Sequence, residues 1–310
     1  MTGGAPTRTP SDDQEQKEQP PMTATHDRPP ARRIRARGER GPLASLALHT
    51  TLIAASLVAM FPVAWILYIS VGPEDAWQDP SKVIGHLSLK NYTRVLTETD
   101  FPRWFGNSLV VALATTVLGV LLSATAGYAV SRLKFPGQKQ LMWMFLVTQM
   151  FPVAVLIVPL YNILASLDLI DSYLGLILTY CTVAVPFSAW MLKGYFDTIP
   201  VEIDEAGRVD GLTPFGTFWR LILPLARPGL AVTAFYSFLT AWAEVAYATQ
   251  FMSADHYTLA VGIRTLATNT RADWAGMTAS SVLIAIPATI VFFLVQRHLV
   301  SGLTAGAAKS

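Results

Sequence analysis

The chain has 310 residues, 52% of them hydrophobic and 14% charged, with a formal net charge of +2. Charge this sparse, with a positive mean hydropathy, excludes an ordinary soluble domain and describes an integral membrane protein. A single cysteine, Cys181, excludes a disulfide framework. Residues 1–30 are rich in Pro, Thr, Gln and mixed charge, and are expected to be disordered. Arg32, Arg33, Arg35, Arg37 and Arg40 then precede the first apolar run. They read as a juxtamembrane anchor rather than a nucleic-acid contact. The expected organisation is a basic tail over 1–40 and a membrane domain over 41–310.

Six apolar runs are long enough to cross a hydrocarbon core of about 30 Å as helices. They lie at 45–71, 105–130, 141–165, 173–195, 229–251 and 278–299. The expected fold is all-α, with six transmembrane helices. The first run is too long for a signal-peptide core and follows a long polar tail, so it reads as a span. Pro62, Pro152, Pro159, Pro186 and Pro287 fall inside runs, where each predicts a kink. With the basic tail inside, the connections alternate in charge. One side holds Arg132, Lys134, Lys139, Lys193, Arg208, Arg220, Arg227, Arg297 and Lys309; the other holds only Lys82, Lys90, Arg94, Arg103, Arg264 and Arg271. This asymmetry places both termini and the 200–228 connection in the cytoplasm.

Glu244 is the one carboxylate well inside a run. An ionisable group at that depth faces the bundle interior or a water-filled path. It is open to three readings: pathway lining, a helix–helix hydrogen bond at a gate, or a reach toward headgroups. Gln149, just before Phe151-Pro152, is a weaker case of the same kind.

Residues 200–228 form the longest polar interruption of the second half and read as two short helices joined by a turn. Pro200 suits the first turn of the first helix. Ile203, Ala206, Val209 and Leu212 recur at helical spacing beside a polar face of Glu202, Glu205 and Arg208. Gly211 fits a left-handed helix end, Thr213 an N-cap and Pro214 a first turn. Phe215, Phe218, Trp219 and Ile222 make one apolar stripe. Pro224 and Pro228 are expected to stop the second helix.

The spacing Glu205-Ala206-Gly207, Gly211, Leu221-Ile222-Leu223-Pro224 resembles the E-A-A-x3-G-x9-I-x-L-P loop. That loop marks the membrane subunits of binding-protein-dependent ABC importers. Two positions depart from it, Gly207 for the second alanine and Leu221 for isoleucine. Further resemblance to carbohydrate importer permeases, and within them to the smaller maltose/maltodextrin membrane subunit, lies in Asn107-Ser108-Leu109, in 255–263 and in 299–309. It covers roughly residues 45–310 and implies the type I importer (MetI-like) permease architecture. It also implies that Glu205, Ala206, Gly207, Asp210, Gly211, Phe215, Phe218, Trp219, Leu223 and Pro224 couple to an ATPase. Asp255, His256, Tyr257, Thr258 and Leu259 would meet an extracytoplasmic sugar-binding protein. Gly302, Leu303, Thr304, Ala305 and Gly306, within a C-terminal tail of 300–310, would touch the ATPase dimer. The implied partners are a second, larger permease of the same kind, a dimer of P-loop ATPase subunits, the sugar-binding protein and the lipid bilayer. The implied location is the bacterial cytoplasmic membrane.

No P-loop, H-E-x-x-H, Cys/His metal spacing or G-x-S-x-G elbow occurs in the sequence. The chain is therefore expected to be non-catalytic and to bind no cofactor itself, with ATP and magnesium on the partner ATPase. The leading expectation is oligosaccharide import, maltose or maltodextrin first, with another sugar such as trehalose as the near alternative. The alternative of another class is an ATP-independent secondary transporter.

Overall fold

A computed structural model describes residues 42–267 and 273–307, with side chains as far as His298. The basic tail and Arg271 lie outside the described residues. The chain divides into Met1–Ser56 and Leu57–Ser310. The described part of the first unit is the opening half of helix α1 (Pro42–Ser70). Its side chains are almost all exposed and mostly apolar, such as Leu43 and Ile53, a surface that only lipid or another protein can cover.

After α1 come α2 (Lys90–Glu98) and the long α3 (Phe101–Arg132). Next are α4 (Gln138–Thr148), α5 (Val153–Ser166) and α6 (Tyr173–Phe196). The 200–228 connection holds α7 (Glu202–Val209), α8 (Pro214–Thr217) and, past one π-helical turn over Phe218–Ile222, α9 (Leu223–Leu225). The chain then runs through α10 (Arg227–Trp242), α11 (Ala246–Phe251), α12 (Leu259–Gly262) and α13 (Trp274–Ala307). Among the described helices, α1, α3, α6 and α13 are long and apolar enough to cross a membrane singly. Six crossings result only if two bent pairs, Gln138–Thr148 with Val153–Ser166 and Pro214–Leu225 with Arg227–Trp242, each count as one.

Two expected spans are broken rather than kinked. The 141–165 run divides into α4 and α5, bent by 108°. Neither half, at about 1.5 Å per residue, reaches across alone. The break sits at Gln149–Pro152 because a residue before proline is pushed out of the helical region. Pro152 itself is extended, at φ −61° and ψ 134°. The 229–251 run stops at Ala243, and the chain resumes as α11 after Glu244 and Val245. Pro62, Pro159, Pro186 and Pro287 do lie inside helices.

The core is α3 on α6, with α10 against both and α13 behind α10. Small residues allow the close approach, as in other membrane helix pairs. A Cβ at Gly127 would lie 3.0 Å from the Ala189 carbonyl oxygen and 3.1 Å from the Lys193 nitrogen. One apolar cluster joins Phe101, Trp104, Tyr180, Phe238 and Trp242 toward the α2 end. A second joins Leu192, Phe196, Phe218, Ile222 and Ala226 under the 200–228 loop.

Candidate functional site

The 200–228 loop folds as two helices closed by a tight turn. Helix α7 begins at Glu202 with Val201 as N-cap, so Pro200 precedes the helix instead of opening it. Gly211 adopts φ +79°. Leu212 N–H donates to Gly207 O at 2.9 Å and Gly211 N–H to Arg208 O at 3.0 Å. That bond pair is a Schellman motif, which requires the left-handed residue that glycine supplies. Thr213 Oγ1 caps α8 by accepting from Gly216 N–H at 3.1 Å.

The apolar residues of the loop do not share one face. The loop buries Asp204 and Gly207, while Ala206 is exposed and Val209 is 87% exposed. The aromatic stripe divides into two i, i+4 pairs on neighbouring faces. Phe218 and Ile222 are buried; Phe218 packs 4.7 Å from the Tyr128 ring. Phe215 and Trp219 face outward, stacked at 6.2 Å with an 18° interplanar angle. The second helix ends between Pro224 and Pro228, at Leu225. Pro224 sits in its last turn, and Pro228 in the first turn of α10, where a missing N–H costs nothing. The chain bends at Ala226, so Pro214–Leu225 crosses α10 at 83°.

The Asp204 carboxylate accepts two side-chain hydrogen bonds. Tyr128 Oη donates to Oδ1 at 2.6 Å, and Arg132 Nε donates to Oδ2 at 2.7 Å. Arg132 Nη2 also donates to Ile199 O at 2.8 Å. Both charged side chains are nine-tenths buried. A cavity of about 220 Å³ opens beside them, bordered by Arg208, Pro214 and Phe215. Sequence reasoning missed this pair because it placed Asp204 with no face and counted Arg132 only as a flanking charge. The available signal was that Asp204 and Gly207 stand one turn apart on one side of α7. Glu205 and Asp210 are exposed and make no side-chain hydrogen bond or ion pair among the described residues. Ala206, Phe215 and Trp219 are exposed as well; Leu223 is half-buried and Pro224 exposed.

At the far end of α3, the 255–259 stretch is anchored to the chain itself. Asn107 Nδ2 donates to Tyr257 O at 3.0 Å and Leu259 N–H donates to Ser108 Oγ at 2.7 Å. Thr258 and Leu259 are buried, so the part open to a partner is Asp255–Tyr257. Asp255 is 80% exposed, against Arg103 at 3.2 Å. Asp171 fastens this stretch to the α5–α6 connection. It accepts from Ser253 N–H at 2.7 Å and Ser253 Oγ at 2.8 Å, and contacts His256 Nδ1 at 3.0 Å. Slight burial alone would raise the Asp171 carboxyl, but the Ser253 and His256 hydrogen bonds outweigh it and hold it below the usual carboxylate range. A carboxyl depressed by folding stabilises above its unfolded value of about 4 and loses that contribution as pH falls through its folded value. The thermal stability lost in Asp171→Asn is therefore expected to be constant from neutral to weakly acid pH. It should shrink only on acidification below about 4, checked by melting both proteins across a pH series.

Glu244 fills the break between α10 and α11. Its Oε1 accepts from Tyr247 N–H at 2.8 Å; its Oε2 accepts from Ala248 N–H at 3.1 Å and from Tyr180 Oη at 2.8 Å. Of the three readings, the headgroup reach is the one this geometry corrects, because the carboxylate is turned onto the chain. Gln149 serves the other break, donating through Nε2 to Val183 O at 3.1 Å. Residues 302–306 continue α13 as helix, with side chains outside the described residues.

The family model for the binding-protein-dependent transport system inner membrane component matches residues 116–305. The inner membrane ABC transporter permease protein YcjP of Escherichia coli is 35% identical over 272 residues, covering 86% of this chain and 97% of its own. The maltodextrin transport system permease protein MdxG of Bacillus subtilis is 36% identical, over 73% and 82% of the two chains. The trehalose transport system permease protein SugB of Mycobacterium tuberculosis is 35% identical, over 81% and 93%. In fold, the chain is similar to a bacterial ABC transporter involved in alginate import, with a TM-score of 0.70 at 20% identity over 82% and 96%. With the loop motif folded as two capped helices and the spans in place, the chain belongs to the family of inner membrane permease components of binding-protein-dependent transport systems.

Proposed function

We propose that this chain is the membrane-spanning permease subunit of an ATP-driven importer for oligosaccharides, with maltose and maltodextrins as the favoured substrates. The observation that carries the reading is the outward face of the 200–228 loop: Glu205, Phe215 and Trp219 stand exposed on helices that are themselves capped and anchored. Exposed stacked aromatics and an exposed carboxylate on the same loop fit a partner surface of opposite shape and positive charge. The partner of that description is an ATPase subunit on the cytoplasmic side. The orientation is supported by charge: Arg132, Lys134, Lys139, Lys193, Arg208 and Arg220 gather at the loop end. The named relatives of known substrate carry maltodextrin or trehalose, which supports a glucose-based oligosaccharide. A second permease, a pair of ATPases and a sugar-binding protein meeting Asp255–Tyr257 complete the assembly. ATP and magnesium sit on the ATPases, and closure of that pair moves the loop and tilts the spans between two states.

Broken spans and an intramembrane carboxylate are also marks of ion-coupled carriers. Here Glu244 already accepts three hydrogen bonds, and no second buried charge among the described residues pairs with it. The test is purification of the tagged chain in mild detergent, with co-purifying subunits identified by mass spectrometry, followed by uptake in vesicles. A P-loop ATPase and ATP-dependent uptake of maltose are expected; uptake that follows an ion gradient and ignores ATP sinks the reading. Glu205→Lys is expected to lower ATPase recovery and ATP-driven uptake about tenfold, the scale of one lost charge contact at an interface. The amount of folded permease should not change, because the Glu205 side chain makes no hydrogen bond or ion pair among the described residues.

A further inference from the structure

Within residues 200–228, among the described residues, Asp204 is the side chain that makes hydrogen bonds outside the segment. Thr213 caps its own helix, and the remaining contacts to the spans are apolar, chiefly Phe218 against Tyr128 and Phe196. Apolar packing resists being pushed together but offers no directional bond against being pulled apart. A lever that must both push and pull a membrane helix needs bonds that hold under tension.

We propose that the Arg132–Asp204 ion pair, with the Tyr128 hydroxyl, is the strut through which movement of the 200–228 loop is carried into α3. This rests on reading that loop as the coupling element. Arg132 is the last residue of α3, and Asp204 lies in the first turn of α7. Arg132 also grips Ile199 O at 2.8 Å, and its neighbour Ser131 donates to Asp197 Oδ1 at 2.7 Å. Asp197 in turn pairs with Lys193 of α6 at 2.5 Å. The ends of α3 and α6 and the start of α7 are thereby tied at one point. Both members of the pair are shielded from water, so the attraction is weakly screened. A buried ion pair is seldom the cheapest way to fill such a space, since apolar side chains of equal volume commonly stabilise as well or better. Its directional grip is what an apolar pair lacks. Arg132 and Asp204 are positioning residues: neither lies on the outward face that meets the ATPase.

The test uses the complete transporter in proteoliposomes with radiolabelled maltose and the sugar-binding protein, measuring sugar moved and ATP hydrolysed in the same vesicles. In Asp204→Asn, ATP hydrolysis is expected to persist while sugar moved per ATP falls about tenfold or more, the scale of breaking one side of a buried pair. A purely structural role would instead lower the amount of complex and reduce both activities in proportion, leaving the ratio untouched, and that result overturns the strut. Should Asp204→Asn fail to accumulate, the double variant Arg132→Met/Asp204→Leu leaves no charge unpaired and carries the same test; a wild-type ratio in it equally overturns the strut. A wild-type chain that recruits no ATPase overturns the functional reading and the strut with it. An assembled, ATP-hydrolysing complex with an unchanged ratio overturns the strut alone.

Discussion

Gly207→Val is expected to abolish ATP-driven uptake while leaving the spans folded. A Cβ at this position would lie 2.8 Å from Thr217 Oγ1, 3.1 Å from Thr217 Cγ2 and 3.0 Å from Leu221 Cδ1. Alanine is therefore already tight, at a cost on the order of 1 kcal/mol. Valine adds two further carbons with nowhere to go, since Thr217 is buried. The relief is to drive α7 away from the π turn, and Asp204, one turn upstream of Gly207, would leave Arg132. Separating a buried ion pair without replacing it costs about 3–5 kcal/mol. The loop would lose its seat and its only polar tie among the described residues at once. Gly194→Ala is the matched control: no atom lies within 4 Å of its added Cβ, and a helical alanine is favoured over glycine by about 1 kcal/mol. Uptake in both variants, normalised to permease recovered by size-exclusion chromatography, decides the matter. Wild-type uptake in Gly207→Val would show that the helices part without consequence.

Composition was enough to read α1, α3, α6 and α13 as single spans, because a long apolar run is stable in lipid as a helix. Local chemistry was enough for the turn: Gly211, Thr213 and Pro214 each answer a backbone demand that no distant contact alters. The faces of α7 were not legible, for a physical reason. A helical-spacing argument sends apolar residues inward, yet this loop turns Val209, Phe215 and Trp219 outward and a charge inward. Where a protein surface is itself meant to be covered, apolarity no longer tells inside from outside. The inward position of Asp204 depends on Tyr128 and Arg132, more than seventy residues away, and nothing local announces it. The breaks at Gln149–Pro152 and Ala243–Val245 were half legible. Pro152 marked the first, but a proline inside α6 or α13 leaves the helix unbroken. At the second break Glu244 takes up backbone N–H groups freed at the start of α11, whereas at the first Gln149 ties the chain to the Val183 carbonyl of α6. Gln149 and Glu244 stood at those two places, and each carried a polar side chain that the apolar surroundings did not explain.

Glu244→Leu is expected to destabilise the permease on the order of 3 kcal/mol or more, with Glu244→Gln costing about a third as much. The carboxylate accepts from two backbone N–H groups at the start of α11 and from the Tyr180 hydroxyl on α6. Tyr180 is fully buried, so its hydroxyl has no water to turn to once the acceptor is gone. Leucine fills the space but leaves three donors unsatisfied, and in hydrocarbon each such group is costly. Glutamine keeps one acceptor oxygen for the backbone, and the Tyr180 hydroxyl can rotate to accept from its amide. Thermal unfolding of the purified variants in detergent should therefore rank wild type above glutamine and glutamine well above leucine. Transport should follow the amount of folded protein in each. This order follows from Glu244 bracing a broken span. The contrary pattern is just as readable: a glutamine variant as stable as wild type yet unable to move sugar would mean that the charge itself is used on the pathway, and that its hydrogen bonds to α6 and α11 are exchanged for others when the spans tilt.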